Sequence, residues 1–315
     1  MTQILLFPGQ GAQKVGMAKD LFDTYPSVRE LFKTASEQSG FDTEHLLFAG
    51  SDDELKETEK TQVAVTLANL ASYEALKNEG LRDEATLAVA GFSLGEYAAL
   101  AAGGVCSYKD VFYLVRERGR LMAQAGSAIT TAKGAVGMAA VMGLDAEKVK
   151  EIVNVSGRND VFCANYNSPS QIILSGLENG IEAIEKPLKE AGAKRVIKLK
   201  VSGPFHTPLL SEAAAAFSEV LNKVTFNNPK TALFSNVNGQ KITKGSEIKK
   251  LLEKQISNPV LWMDIEHNIR QLMQADTVVA ECGPGIVLGG LWRAMFNENI
   301  RAVSTVDQVK SFMEQ

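Results

Sequence analysis

Leu87-Ala88-Val89-Ala90-Gly91-Phe92-Ser93-Leu94-Gly95-Glu96-Tyr97-Ala98-Ala99-Leu100 reads as an apolar strand, a glycine-flanked turn and an alanine-rich helix, each directly after the last. The turn is a G-x-S-x-G. In a nucleophile elbow of this form the serine occupies a strained bend, and the flanking glycines remove the Cβ atoms that would collide with strand and helix. The hydroxyl of Ser93 is then exposed at a helix N-terminus, and the backbone N–H of Leu94 points at any oxyanion that develops beside it. The same five residues also arise by chance. The strand before them and the helix after them give the nucleophile reading its weight.

Outward from that elbow, Ile4 to Phe7 is another short apolar strand, running into the turn Pro8-Gly9-Gln10-Gly11. Helical patterns follow at 19–39, 62–79, 94–103 and 107–125, the alternation of a mostly parallel sheet covered by helices. From Gly134 the order changes to strand (Val136 to Met142), helix (Ala146 to Asn154), strand (Val161 to Ala164), strand (Gln171 to Ser175), helix (Glu178 to Ala191) and strand (Arg195 to Leu199). That succession, β-α-β-β-α-β, is the ferredoxin-like arrangement. Strands near 231–235 and 277–281 resume the earlier pattern. The expected fold is α/β: a large domain from residues 1–130 and 201–315, interrupted by a small ferredoxin-like subdomain at 131–200, with a cleft where the two meet.

The 315 residues are 45% hydrophobic and 22% charged, ordinary globular usage that excludes disorder and fibres. Lys+Arg 33 against Asp+Glu 37 leaves a net charge of -4, so no overall positive field is present to hold nucleic acid or an anionic membrane. The start, MTQILLFPGQG, has no basic leader, and no later run approaches the ~20 apolar residues of a membrane span. A soluble, cytoplasmic protein is expected. Cys106, Cys163 and Cys282, with no C-x-x-C, fit a reducing compartment and not a disulfide framework or a thiolate zinc site. None of His45, His206 and His267 belongs to an H-E-x-x-H or similar pair, so no metal is expected.

A serine needs a base, and histidine is the usual one. His206 stands in Ser202-Gly203-Pro204-Phe205-His206-Thr207-Pro208, a turn-rich loop directly after the insertion, where the two parts should face one another. A loop-packing role for it stays open at this point. His45 beside Thr43-Glu44 and His267 within Met263 to Met273 read as solvated or packing residues. In the helical stretch Val111 to Ala125, positions 111, 114, 115, 118, 122 and 125 share a face, and Arg118 interrupts an apolar stripe there. Arg116, Glu117 and Arg120 lie on the other side as solvated charge. An inward guanidinium keeps its charge and needs an anion, either a buried Asp or Glu or an anionic substrate. The glycine-rich turns are not dinucleotide fingerprints, because Lys14 and Leu288 stand where a third glycine belongs after Gly9-x-Gly11 and Gly283-x-Gly285.

In order and spacing the chain resembles the malonyl-CoA:acyl-carrier-protein transacylases over nearly its whole length. The resemblance rests on Phe7 to Gln13, Thr61-Gln62, Gly91 to Tyr97, Arg118-Gly119 with Met122, Asn165 to Pro169, Ser202 to His206, Gln255 through Pro259-Val260 to Trp262, and Glu281 to Gly285. It implies a hydrolase-like core with an inserted ferredoxin-like subdomain. It also implies ping-pong transfer of malonyl from malonyl-CoA to the phosphopantetheine thiol of acyl carrier protein, in fatty-acid biosynthesis, by a monomer with no permanently bound cofactor. By position it makes Ser93 the acylated nucleophile, His206 its base and acid, and Arg118 the holder of the malonyl carboxylate. The side-chain amide of Gln10 and the N–H of Leu94 become the oxyanion hole, and the carbonyl of Gln255 orients the histidine where other enzymes use a carboxylate. Phe92 departs from the histidine the family commonly has before its nucleophile. Phe205, just before His206, matches related polyketide acyltransferases that prefer malonyl to methylmalonyl. A stand-alone acyltransferase of a polyketide synthase shares this chemistry with another acceptor. An acyl-thioester hydrolase shares the Ser–His pair but has no need of Arg118. Lys194, Lys198 and Lys200, on one face of the last subdomain strand, are candidates for docking an acidic carrier, with an ordinary solvated face as the alternative.

Overall fold

The computed structural model describes residues 2–199 and 201–314. Among them lie strands β1 (Thr2–Phe7), β2 (Thr86–Gly91), β3 (Val136–Met142), β4 (Val161–Ser168), β5 (Gln171–Leu177), β6 (Arg195–Leu199), β7 (Ala232–Phe234), β8 (Lys241–Ile242), β9 (Thr277–Cys282) and β10 (Arg301–Val303). They form two sheets, ordered β10-β9-β1-β2-β7-β8 and β4-β5-β3-β6. In the first, β1 pairs in parallel with β2 and β9, β9 with β10 and β2 with β7; β8 is antiparallel to β7. The second is antiparallel throughout. The protein is thus mixed α/β, with a parallel sheet and a separate antiparallel one.

β1 shows why the parallel sheet sits in the centre. Ile4 and Leu6 pack into one apolar cluster, Leu5 and Phe7 into another on the opposite face, and all four are fully buried. A strand apolar on both faces needs helices on both sides. The helix Thr58–Asn78 is buried along most of its length and packs on the helix Tyr108–Lys133, which starts on a Ser107 cap that accepts from Asp110 N–H.

Two helix readings change. The 19–39 stretch is two helices, Lys19–Thr24 and Pro26–Ser39, because proline fits the first turn of a new helix and disfavours helical geometry in the residue before it. The pattern ending at 125 runs on to Lys133. Gly126 looks like a stop signal, but its missing Cβ would lie 2.9 Å from the Ser202 carbonyl oxygen, so it lets the helix touch the returning chain. The short β8 and β10 carry too few residues to show a period.

In the second sheet the succession is β3, helix Ala146–Val155, β4, β5, helix Glu178–Glu190, β6. Ala139 and Val141 of β3, with Ile172 and Leu174 of β5, pack under these helices. Met138, Ala140 and Ile173 alternate to the opposite face and join the core of the large sheet. β4 is fastened to the rest of the protein: Tyr166 N–H donates to the Val260 carbonyl and Val260 N–H to the Ala164 carbonyl, each at 2.9 Å. Among the described residues no helix is long and apolar enough to cross a membrane.

Candidate active site

β2 ends at Gly91 and the helix Gly95–Ala102 begins four residues later, leaving Ser93 to turn the chain at φ 49°. A non-glycine residue rarely takes that conformation, and the surroundings hold it there: Ser93 N–H donates to Asn236 Oδ1 at 2.6 Å, and Asn236 Nδ2 donates to the Gly91 carbonyl at 2.7 Å. A Cβ on Gly95 would fall 2.0 Å from the Phe7 carbonyl oxygen, so only glycine lets the elbow rest on the end of β1. That contact brings the turn holding Gln10 beside Ser93, and both line one cavity. No protein acceptor among the described residues takes the Leu94 N–H.

His206 also has a positive φ, 59°, and is buried. Its Nε2 lies 2.7 Å from Ser93 Oγ and its Nδ1 lies 2.9 Å from the Gln255 carbonyl oxygen. A carbonyl can only accept, so Nδ1 carries the proton and Nε2 has its lone pair free for the serine hydroxyl. Burial, reinforced by the positive charge of Arg118, pushes the imidazole down to about 4, against the carbonyls of Gln255 and Asn258. It is a neutral base at pH 7. His45 and His267 are exposed, and neither lines the cavity that holds Ser93 and His206.

Arg118 lies on the buried face of its helix with Val111, Leu114, Val115 and Met122, and is 1% exposed. Its Nη1 donates to Gln62 Oε1 at 2.8 Å, and its Nη2 to Gln255 Oε1 at 3.0 Å and weakly to Ser93 Oγ at 3.4 Å. The Tyr97 ring lies 5.5 Å from the guanidinium carbon. All these partners are neutral, and no carboxylate among the described residues forms a salt bridge with it. On the other side of the helix, Arg116 and Arg120 both bind Glu117, which is 8% exposed and so buried beneath them, not solvated.

Four polar residues that the residue-by-residue reading left without a task belong to the same cluster: Gln62, Glu96, Tyr97 and Asn236. Glu96 and Tyr97 open an alanine-rich helix, where a polar residue is itself a signal, whereas Gln62 sits in a helix with Thr58, Thr61, Thr66 and Asn69 and does not stand out. Asn236 follows β7, with nothing in its own neighbourhood to mark it. Glu96 is lifted to about 7 by burial, against the hydrogen bonds it accepts and the charge of Arg118.

The cavity has a volume of ≈ 550 Å³, within the range of small-molecule sites. Ser93, Arg118 and His206 line it from the large-sheet part, and Met138, Ala140 and Ile173 with Asn165, Asn167 and Gln171 from the antiparallel sheet. Phe205 is buried in its lining; Phe92 lines it too and packs edge-on against Trp262 at 5.4 Å. Lys194 and Lys198 do not face it. On β6, Leu199 lines the cavity while Lys198 points to the helical side and binds Glu182 at 2.6 Å, a side Lys194 shares by alternation. Lys200 lies outside the described residues.

Residues 4–304 match the acyl transferase domain family, which sets the class. A malonyl CoA-acyl carrier protein transacylase of Bacillus subtilis (strain 168) is 38% identical over 305 residues, 96% of this chain and 92% of the relative. The chain belongs to the malonyl CoA-acyl carrier protein transacylase family. Among solved structures, a malonyl-transacylase in complex with a type II polyketide-synthase acyl carrier protein superposes with a TM-score of 0.93 at 32% identity, covering 100% of this chain and 99% of that one. The transacylase of Streptococcus pneumoniae gives 0.91 at 34% identity and 99% coverage of each.

Proposed function

We propose that this protein moves the malonyl group from malonyl-CoA to the phosphopantetheine thiol of acyl carrier protein, through an ester on Ser93, in fatty-acid biosynthesis. The observation that carries the reading is Arg118: a buried guanidinium held by neutral amides 3.4 Å from the Ser93 hydroxyl, with no carboxylate among the described residues bonded to it and Glu96 reaching it only across the Gln255 amide. A buried charge without a counter-ion is costly, and the carboxylate of a malonyl group supplies one. An enzyme hydrolysing uncharged acyl thioesters gains nothing from such a residue.

In this mechanism His206 Nε2 takes the proton of Ser93 Oγ as the oxygen attacks the thioester carbonyl. The oxyanion rests on the Leu94 N–H and the Gln10 amide. As the C–S bond breaks, His206 returns the proton to the CoA sulfur. The carrier thiol then gives its proton to His206, attacks the ester, and Ser93 leaves with that proton. A malonyl carboxylate on Arg118 also offsets the charge that depresses His206, so the base strengthens when the charged substrate is seated. Gln255 orients the imidazole through its carbonyl. Phe205 narrows the acyl site toward the smaller malonyl group.

The architecture belongs to the same proposal. Residues 1–130 and 201–315 form a hydrolase-like domain, supported by the strand–Ser93–helix elbow, and 131–200 a ferredoxin-like subdomain, supported by the order β4-β5-β3-β6. The protein works as a cytoplasmic monomer with no permanently bound cofactor, in keeping with the free thiols of Cys106, Cys163 and Cys282. The test is mass spectrometry of the protein after malonyl-CoA, then transfer to fatty-acid and polyketide carrier proteins. A malonyl adduct on Ser93 is expected; its absence would falsify the scheme. Because one structural neighbour was solved with a polyketide carrier, a strong preference for that acceptor would move the enzyme to the polyketide role.

A further inference from the structure

We infer that Glu96 is a positioning residue for this transfer: through the side chain of Gln255 it fixes both the carbonyl that holds His206 and the guanidinium beside Ser93. The inference rests on the acyl-transfer reading and deepens it. Glu96 is the second residue of the helix that follows the elbow and is 1% exposed. Its Oε2 accepts from Gln255 Nε2 at 2.6 Å and from Asn236 N–H at 3.4 Å.

Gln255 is where these contacts meet. Its Nε2 also donates to the Ser93 carbonyl at 2.9 Å, its Oε1 accepts from Arg118 Nη2 at 3.0 Å, and its backbone carbonyl accepts from His206 Nδ1 at 2.9 Å. An amide has one donating and one accepting end. Rotated by half a turn, its NH₂ would face the guanidinium, donor against donor, and its oxygen would face the Glu96 carboxylate and the Ser93 carbonyl. The Asn236 backbone N–H can only donate, so Glu96 Oε2 is already an accepting oxygen whether or not the other oxygen carries a proton, and Glu96 selects the orientation that serves Arg118. Asn236, which also donates to Glu96, holds both Ser93 N–H and the Gly91 carbonyl. Glu96 therefore grips the elbow through one amide residue and the base and guanidinium through the other.

In a Ser-His-Asp triad the acid touches the imidazole and raises its basicity. Here the acid stands one residue further away, behind a neutral carbonyl. It supplies geometry to His206 without lending it a contacting negative charge, which agrees with an imidazole held low by burial and Arg118. An apolar side chain at position 96 would avoid the cost of burying a carboxyl group, but would leave Gln255 Nε2 one acceptor short.

The test uses the full chain with Glu96→Leu and Glu96→Gln. Leucine removes the acceptor and should slow acylation of Ser93 at saturating malonyl-CoA by roughly 10- to 100-fold, the range expected when a buried donor loses its partner. It should raise KM for malonyl-CoA more than for acetyl-CoA, because Arg118 loses its fixed neighbour. Glutamine restores an acceptor and most of the rate. With only three histidines in the chain, imidazole N–H NMR reads the Nδ1–H of His206 without any substrate. That signal should shift in Glu96→Leu and return in Glu96→Gln, while His45 and His267 stay in place. Wild-type acylation rates in Glu96→Leu, or equal slowing in both variants with an unmoved His206 signal, overturn the inference. Should Glu96→Leu not fold, Gln255→Met breaks the same link and keeps the backbone carbonyl; an unmoved His206 signal there is equally fatal. If the wild type forms no malonyl ester while the His206 signal responds as described, the acyl-transfer reading fails and the positioning role stands.

Discussion

β2 of the parallel sheet delivers Ser93 into a net of hydrogen bonds to Asn236, His206 and Gln255, whereas the antiparallel sheet meets the same cavity with Met138, Ala140 and Ile173 and the uncharged amides of Asn165, Asn167 and Gln171. One wall carries the charge and the strained backbone of Ser93 and His206; the other is uncharged, with Met138, Ala140, Ile173 and Leu199 beside the amides of Asn165, Asn167 and Gln171. The buried Arg118 and the Ser93–His206 contact lie on the first, so on the proposed mechanism shape and size are left to the second. Parallel strands make this division natural, because their ends all open at one edge, where loops and helix starts from distant parts of the chain gather.

The largest test of that division is His206→Ala, which should reduce Ser93 acylation by roughly 10³- to 10⁴-fold in stopped-flow or quenched mass-spectrometric assays, as loss of a general base does. Next, Arg118→Ala should cost about 10²- to 10³-fold with malonyl-CoA and leave acetyl-CoA turnover nearly unchanged, since it removes orientation of a charged group only. A third test is acid stability. Unfolded histidine protonates near 6.5 and His206 near 4, so its contribution is complete above pH 6.5 and is lost as pH falls through 4. Urea unfolding of the wild type relative to His206→Gln should therefore weaken by up to about 3 kcal/mol between pH 7 and pH 4. The smallest effect belongs to the other wall. Ala140→Leu should raise KM for malonyl-CoA by about tenfold, a methylene-scale penalty, with the acylation rate at saturation intact. A wall substitution that cut the saturated rate as deeply as Arg118→Ala would end the division of labour.

Much of this was legible because it is local. The elbow is five consecutive residues with a strand and a helix attached, and Arg118 shows as one charge in an apolar stripe. Turn chemistry set His206 apart from His45 and His267. The succession of strands and helices from 136 to 199 was likewise legible, each element being a run of consecutive residues. What sequence could not supply is pairing across the chain. Gln62, Glu96 and Asn236 act through partners 56, 159 and 143 positions away. The lysines of β6 share a face as alternation requires, but which face meets the cavity depends on where the helix Glu178–Glu190 packs. The helix expected over 107–125 runs on to Lys133 for the same reason, since Gly126 meets the distant backbone at Ser202.

The bridge between Asn165 and Val260 has a mechanical meaning. The antiparallel sheet is bound covalently to the rest of the chain through β3 and β6, and β4, at the far edge from β6, is stitched down by Tyr166 and Val260. Clamped along two opposite margins, it is a fixed wall and not a jaw. On the proposed function, the room offered to an acyl group is therefore cast when the protein folds, and cargo is selected the way a mould does, by what already fits.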